Sequence, residues 1–294
     1  MSRRLLAMLG LAAAVSVVLA AAAVAATITG TPGPDRLIGT PDADAIQGLS
    51  GRDLIKARAG DDTVGGGEGR DLIRGNLGND VISGDAGADW INGNAGDDRL
   101  DGGLGHDAVF GGPGNDQVAG GDGPVPVAAR FGDAGGPFFH FGDRVHGGAG
   151  NDTVTGGAGR DVVSGGFDDD VVDGGPGRDR VFANQGVDTV TGGDGGDDLW
   201  ALSRKDVSGP DDQVGDTLDG GAGRDLFHTY DGELDRITCG DGRDKVIADV
   251  YDVIADATPE NPNGSCERVV RDQPESDAEE RGTEDPGADG REGL

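Results

Sequence analysis

The sequence predicts a repeat solenoid rather than a domain built around one globular core. Three observations carry that expectation: a nine-residue period through most of the chain, aspartate at the sixth place of each unit, and a large apolar residue at the eighth. Composition agrees. Glycine accounts for 59 of 294 residues, against roughly 7% in average proteins, and aromatics for only 4%. Unordered, such a chain would read as disordered, so the period decides the matter. Length alone allows one or two domains.

The N-terminus comes first. Arg3 and Arg4 precede an apolar stretch, Leu5 to Ala22, and Ala23-Val24-Ala25 has the small-x-small form of a signal-peptidase site. The competing reading is a membrane anchor, since the stretch approaches the ~20 residues needed to span a bilayer. Its alanine richness and terminal cleavage motif favour a signal peptide over 1–25. Cleavage removes two arginines and takes the net charge from −31 to 22 − 55 = −33. A chain so acidic repels nucleic acid and anionic membrane surfaces. The expectation is a secreted or surface-associated protein, with no nucleic-acid partner and no membrane insertion after cleavage.

From Gly30 the chain reads GTPGPDRLI, GTPDADAIQ, GLSGRDLIK, ARAGDDTVG, GGEGRDLIR, GNLGNDVIS, GDAGADWIN, GNAGDDRLD, GGLGHDAVF, GGPGNDQVA. The sixth place is Asp35, Asp44, Asp53, Asp62, Asp71, Asp80, Asp89, Asp98, Asp107 and Asp116. Residues 120–146 break the pattern, but they number 27, three unit lengths, and end with Asp143 and Val145 in phase. The repeat resumes at Gly147 and supplies Asp152, Asp161, Asp170, Asp179, Asp188 and Asp197. After a short insertion at 201–210, Asp216 and Asp225 follow.

The pattern resembles the hemolysin-type, or repeats-in-toxin, calcium-binding nonapeptide G-G-x-G-x-D-x-U-x, where U is a large apolar residue. The resemblance covers roughly residues 30 to 228. It implies an all-β fold: a right-handed parallel β-roll, or β-helix solenoid, of 18-residue coils with several Ca²⁺ ions between turns. The eighteen sixth-place aspartates would be side-chain ligands. Backbone carbonyls would come from around the fourth-place glycines Gly51, Gly60, Gly69, Gly78, Gly87, Gly96, Gly105, Gly114, Gly150, Gly159 and Gly177. Classic members lack an N-terminal signal, so the leader here departs from the family and points to general secretory export.

Elementary chemistry supports calcium beside the resemblance. Glycine at the first and fourth places permits backbone conformations closed to other residues and leaves carbonyls uncovered. Ca²⁺ takes oxygen ligands at ~2.3–2.6 Å, whereas soft metals prefer thiolate or imidazole. On adjacent coils, ~4.8 Å apart, two carboxylates repel by roughly 3–4 kcal/mol at an effective dielectric near 20. Asp35, Asp53, Asp71, Asp89 and Asp107 form one such column, and Asp44, Asp62, Asp80, Asp98 and Asp116 the other. One buried apolar side chain per unit, worth about 1.5–3 kcal/mol, cannot offset the ordering of nine residues, about 9–18 kcal/mol. A metal-dependent fold follows. Sites beside Asp42 and Asp168, which replace the fourth glycine, and Ala57 and Ala183, which replace the first, are expected to be weaker. Thr31-Pro32 and Thr40-Pro41 mark the first two units as an N-terminal cap.

The organisation read from the chain is therefore a signal peptide (1–25), a first roll block (26–119), an in-phase insertion (120–146), a second block (147–228), a C-terminal cap (229–270) and an acidic tail (271–294). The insertion holds Phe131, Phe138, Phe139, His140, Phe141 and His146, read as an excursion packing back onto the roll. Val246, Val250 and Val253 suggest further coils without the glycine loop. Two cysteines in an exported chain, Cys239 and Cys266, suggest one disulfide stapling this cap. No HExxH, GxSxG or P-loop pattern occurs, and acid pairs such as Asp61-Asp62 fall at repeat positions. The reading is a calcium-binding scaffold, surface or adhesion module and not an enzyme. The alternative is a polysaccharide-binding or polysaccharide-modifying protein using the insertion, Trp90 and Trp200.

Overall fold

A computed structural model describes residues 25–121, 142–201 and 214–271. The segment 1–24 of the signal-peptide expectation, Phe131, Phe138, Phe139, His140 and Phe141 of the insertion, and 272–294 of the tail lie outside the described residues.

Short strands follow from the repeat itself. In each unit the chain extends over the last three places, where the eighth side chain points inward, and many strands run on into the first places of the next unit, as over Thr63–Gly69 and Leu72–Leu77. These strands, from β1 (Thr27–Thr29) to β27 (Arg268–Arg271), stack into two parallel sheets on opposite faces of a β-solenoid. The register advances by one 18-residue coil: Leu54 pairs with Leu72 and Leu72 with Trp90 on one sheet, and Thr63 with Val81 on the other. The eighth-place side chains meet between the sheets. Ile55, Ile73, Ile91 and Val109 come from one sheet and Val64, Ile82, Leu100 and Val118 from the other, all buried. The core is thus one side chain deep from each sheet.

The roll runs straight through the interruptions. Ala108 pairs with Arg144 and Gln117 with Thr153, an advance of 36 residues across the first. That is two coil lengths for a single step of the ladder, and Arg144 to His146, at the end of the interruption, take their places in it. The physical reason is the pitch: a rung pairs only with a rung one strand spacing away, whatever the number of residues between them. At the second insertion Thr189 pairs with Thr217, an advance of 28, ten more than one coil.

The cap continues both ladders with uneven steps. Thr217 pairs with Arg236, Leu226 with Lys245, Arg236 with Val253, and Lys245 with Arg268. Val246 is buried as expected, but Val250 and Val253 are exposed, and Ile237 and Ile254 fill the core instead. The cause is the uneven coil length, which shifts which residue of the segment faces inward. Cys239 and Cys266 form a disulfide between these last coils.

The glycines divide into two roles. Fourth-place glycines such as Gly60 (φ 102°) and Gly78 (φ 119°) adopt left-handed backbone, as do second-place residues, where Asn76 (φ 87°) and Asn94 (φ 72°) stand in for glycine. First-place glycines do not: none of Gly66, Gly75, Gly84 or Gly93 has positive φ. The expectation that the first place needs glycine for its conformation is corrected. It needs glycine for space.

Candidate metal centre

Each sixth-place aspartate uses its two oxygens differently. Oδ1 accepts a hydrogen bond from the backbone N–H of the aspartate one coil earlier. One column runs Asp35 to Asp53 (2.8 Å), then Asp71, Asp89, Asp107, Asp143, Asp161, Asp179, Asp197 and Asp225. The other runs Asp44, Asp62, Asp80, Asp98, Asp116, Asp152, Asp170, Asp188 and Asp216. From Asp44 onward every aspartate named is at most 4% exposed.

The sequence reading missed the far ends of these columns. Asp216 N–H donates to Asp235, and Asp235 N–H to Asp252. On the other side Asp225 N–H donates to Asp244, and Asp244 N–H to Glu267 (2.5 Å). Asp143 likewise sits fully in its column. The legible signal was the tripeptide Asp-x-apolar (Asp235-Arg-Ile, Asp244-Lys-Val, Asp252-Val-Ile), which persists after the glycine loop is lost.

Oδ2 is the functional half. In Asp53, Asp62, Asp71, Asp80, Asp89, Asp98, Asp107, Asp116, Asp143, Asp152, Asp161, Asp170, Asp179, Asp197 and Asp225 it is buried and accepts no hydrogen bond. A buried charged oxygen without a partner is costly unless a cation meets it. The first-place glycines lie close against these oxygens. A Cβ added to Gly93 would lie 2.1 Å from Asp98 Oδ2 and 2.8 Å from the Gly111 carbonyl oxygen. At Gly111 the corresponding distances are 2.4 Å to Asp116 Oδ2 and 2.3 Å to Gly147 O. At Gly84 they are 2.7 Å to Asp89 Oδ2 and 2.5 Å to Gly102 O. No carbon fits there, so glycine at the first place keeps a side chain from covering the carboxylate oxygen and the neighbouring carbonyl, both of which stay open to a cation. The converging carbonyls belong to the first-place residue two units on.

The fourth-place carbonyls lie elsewhere in the turn. A Cβ on Gly69 would strike the Gly51 carbonyl, and one on Gly78 the Gly60 carbonyl, 2.2 Å away. The same relation links Gly87 to Gly69, Gly96 to Gly78, Gly105 to Gly87, Gly114 to Gly96, Gly150 to Gly114 and Gly177 to Gly159. These carbonyls therefore face the fourth-place backbone of the next coil. Among the described residues no three His, Cys, Asp or Glu side chains form a metal-holding group. An ion held here would draw on one or two carboxylates and on main-chain oxygens, a donor set suited to a hard cation. The residues present fit Ca²⁺: orphaned carboxylate oxygens, uncovered carbonyls, and glycine where a side chain would intrude.

Electrostatics follow the same ladder. Burial is the first cause in each case, opposed by the backbone N–H bond and reinforced by nearby carboxylates. It pushes Asp80, Asp89, Asp98, Asp116, Asp143, Asp152 and Asp225 up to about 7. Asp179 reaches about 8 and Asp170 about 9. For Asp80 and Asp179 the repelling groups include the column neighbours themselves. In the second column Asp216 and Asp235 are raised well above the ordinary range, by burial and then by Asp188 and Asp231 respectively.

The first two units solve the problem without metal. Thr31, at the second place, donates both its N–H and its hydroxyl to Asp35 Oδ2. Thr40 donates its N–H to Asp44 Oδ2 and its hydroxyl to Oδ1. Burial raises Asp44, yet these bonds from Thr40 and Ala26 leave it below the usual carboxylate value. Threonine here is a cap in the chemical sense: it occupies the oxygens that glycine leaves open elsewhere.

Comparison with known families settles the architecture. Residues 38–73, 74–109, 94–124, 141–172, 164–199 and 214–246 match the RTX calcium-binding nonapeptide repeat. The chain belongs to this family. No curated protein matches it. As an RTX chain it folds as the family's β-roll and binds Ca²⁺ through its repeats. The RTX roll is a structural, calcium-binding fold, and the shifted carboxylates described above lie in its two columns.

The remaining sequence candidates are positioned by this roll. His106 is exposed. His146 is buried, with its Nδ1 3.0 Å from Ser164 Oγ. Trp90 stacks obliquely on Phe110 with the Arg74 guanidinium 5.3 Å from its ring. Trp200 lies between Phe182, at 6.1 Å, and His228, stacked at 3.6 Å.

Glycine's role at the first place is testable. Gly93→Ala should raise the calcium midpoint of folding and cost about 1–3 kcal/mol, the usual range for overpacking a rigid site. Ala95→Ser, in the same turn but at a variable place, should stay within about 0.5 kcal/mol of the parent. Calcium titrations followed by circular dichroism would compare them, and equal midpoints for Gly93→Ala and the parent would refute the cradle.

Proposed function

We infer that this chain is an exported scaffold or surface module whose roll folds on calcium, and that it carries no catalytic site of its own. The observation that carries the reading is the pair of columns of buried aspartates, fifteen of which leave a carboxylate oxygen orphaned. A chain that leaves so many charges unpaired is built for a medium that supplies the cation. The exterior of a cell does so and the cytosol, poor in Ca²⁺, does not. Export is supported by the charged, apolar and small-residue segments of the leader, and by a disulfide, which persists in oxidising compartments. The polysaccharide reading has less support, because Phe182 and His228 stack against Trp200 and leave little ring face for a sugar.

Expression with the native leader in a secreting bacterium tests this. Protein recovered outside the cell should begin at Ala26 and gain its β signal in millimolar Ca²⁺. Retention in the membrane fraction with the leader intact would overturn the export reading.

A further inference from the structure

The last glycine at a first place is Gly220, and its surroundings repeat those of Gly84, Gly93 and Gly111. A Cβ added there would lie 2.6 Å from the Cys239 carbonyl oxygen and 2.8 Å from Asp225 Oδ2, which accepts no hydrogen bond. The carbonyl comes from a residue that departs from the repeat. Cys239 heads the unit CGDGRDKVI, at the place where most units have glycine, and its side chain is bonded to Cys266, 27 residues on. One residue thus serves the open oxygens at Gly220 with its main chain and the disulfide with its side chain.

The segment around Cys266 takes the place of a further coil. Elsewhere the first-place N–H donates to a main-chain carbonyl one coil on, as Gly102 does to Ala119 (2.9 Å) and Gly156 to Asp173 (2.9 Å). The Cys239 N–H donates instead to Ser265 Oγ (3.0 Å), and the Gly240 N–H to the same oxygen (3.3 Å). On the other side of Cys266, Glu267 ends the column by accepting from the Asp244 N–H. Three consecutive residues, Ser265 to Glu267, therefore clamp the unit that begins at Cys239. The disulfide is the covalent member of that clamp, and both cysteines are buried.

We propose that the Cys239–Cys266 disulfide and calcium at Gly220 are coupled: the closed disulfide tightens calcium there, and bound calcium protects the disulfide from reduction. The physical ground is preorganisation. With the disulfide closed, the Cys239 carbonyl is already held beside Asp225 Oδ2. With it open, the clamp on Cys239 rests on hydrogen bonds alone, and closing the loop between the cysteines costs entropy that calcium binding must meet. Linkage makes the effect reciprocal. The reduction is ordinary exchange with a dithiol. Its thiolate attacks one sulfur and its second thiol resolves the mixed disulfide. Two electrons and two protons pass to the chain, leaving Cys239 and Cys266 as thiols and the reductant as a disulfide. The inference rests on the roll folding on calcium and gives that folding a redox control.

Calcium titrations of the full chain test it, with hydrogen exchange over residues 217–248 reporting the site and circular dichroism the whole roll. Cys239→Ser/Cys266→Ser should raise the calcium midpoint over 217–248 roughly tenfold and that over 54–119 much less. Gly220→Ala should raise the same local midpoint. Added to the serine pair it should contribute far less than it does alone, because both act on one site, whereas Gly93→Ala should add in full. Thiol release by dithiothreitol reads the reciprocal effect. In the parent it should be roughly tenfold slower in millimolar Ca²⁺ than in chelator, the same factor by linkage. Gly220→Ala should lose several-fold more of that protection than Gly93→Ala. A serine pair that folds with the parent's local midpoint overturns the coupling, and so does Gly220→Ala with the parent's protection. Should the serine pair not fold, the thiol-release comparison decides alone, since it needs no cysteine variant. A parent that gains β signal in Ca²⁺ yet releases thiols as fast as in chelator overturns the coupling and leaves calcium-dependent folding standing. A parent with no calcium-induced β signal removes both.

Discussion

In excess chelator the chain is expected to lose most of its β signal, and millimolar Ca²⁺ should restore it. The physical ground is the count of opposing effects per coil. A coil such as that of Asp71 and Asp80 buries two aspartates whose Oδ2 atoms have no protein partner, with Asp89 and Asp98 stacked one coil on. Each coil also buries only two large apolar side chains, such as Ile73 and Ile82. At about 1.5–3 kcal/mol apiece these cannot order eighteen residues. Backbone ladders and one disulfide help, but the disulfide ties only the last coils. The cation therefore supplies what the core lacks. Far-UV circular dichroism in chelator and in Ca²⁺ measures this directly, and superimposable spectra would sink the idea. The N-terminal rungs should be the least affected, since Thr31 and Thr40 already occupy the oxygens of Asp35 and Asp44.

Acid should partly replace calcium. The column aspartates raised to about 7 in the folded chain, Asp80, Asp98 and Asp116 among them, return to about 3.8 when unfolded. Between these values the folded chain binds more protons than the unfolded one. The free energy of unfolding then falls as pH rises across that window. The metal-free roll is accordingly most stable toward the acid end and loses that contribution as pH passes through about 7. Calcium works in the opposite sense, because it competes with the same protons. The expected results are a chelated chain with more β signal at about pH 5 than at about pH 8, and a calcium midpoint that rises as pH falls below about 7. A chelated chain equally unfolded at both values, with a calcium midpoint indifferent to pH, would show that the columns do not titrate as a buried array.

Much of this was readable before any coordinates. The period placed eighteen aspartates and nearly all core residues, because a repeat writes the same local instruction many times and a single substitution cannot hide it. Asp42, Ala57, Asp168 and Ala183 stand out for the same reason. The columns were readable from the coil length of two units. What was not readable lies where the local instruction lapses. Asp235, Asp244, Asp252 and Glu267 lack the glycine loop that marks the others, and the uneven coils hid which cap residue faces inward, Ile254 rather than Val253.

By itself the amino-acid sequence determined the repeating unit, the apolar eighth place, the aspartate columns and the hardness of the cation they suit, since all of these depend on residues within one or two units of each other. Only the tertiary structure decided which coil follows which across advances of 36, 28, 19 and 17 residues, because rung pairing is set by hydrogen bonds between distant strands. It also decided that the first glycine is needed for room rather than for its backbone angle, and that the column aspartates give one oxygen to the ladder and keep the other apart from it. Those are properties of neighbouring coils. They exist only once the chain has wound around itself.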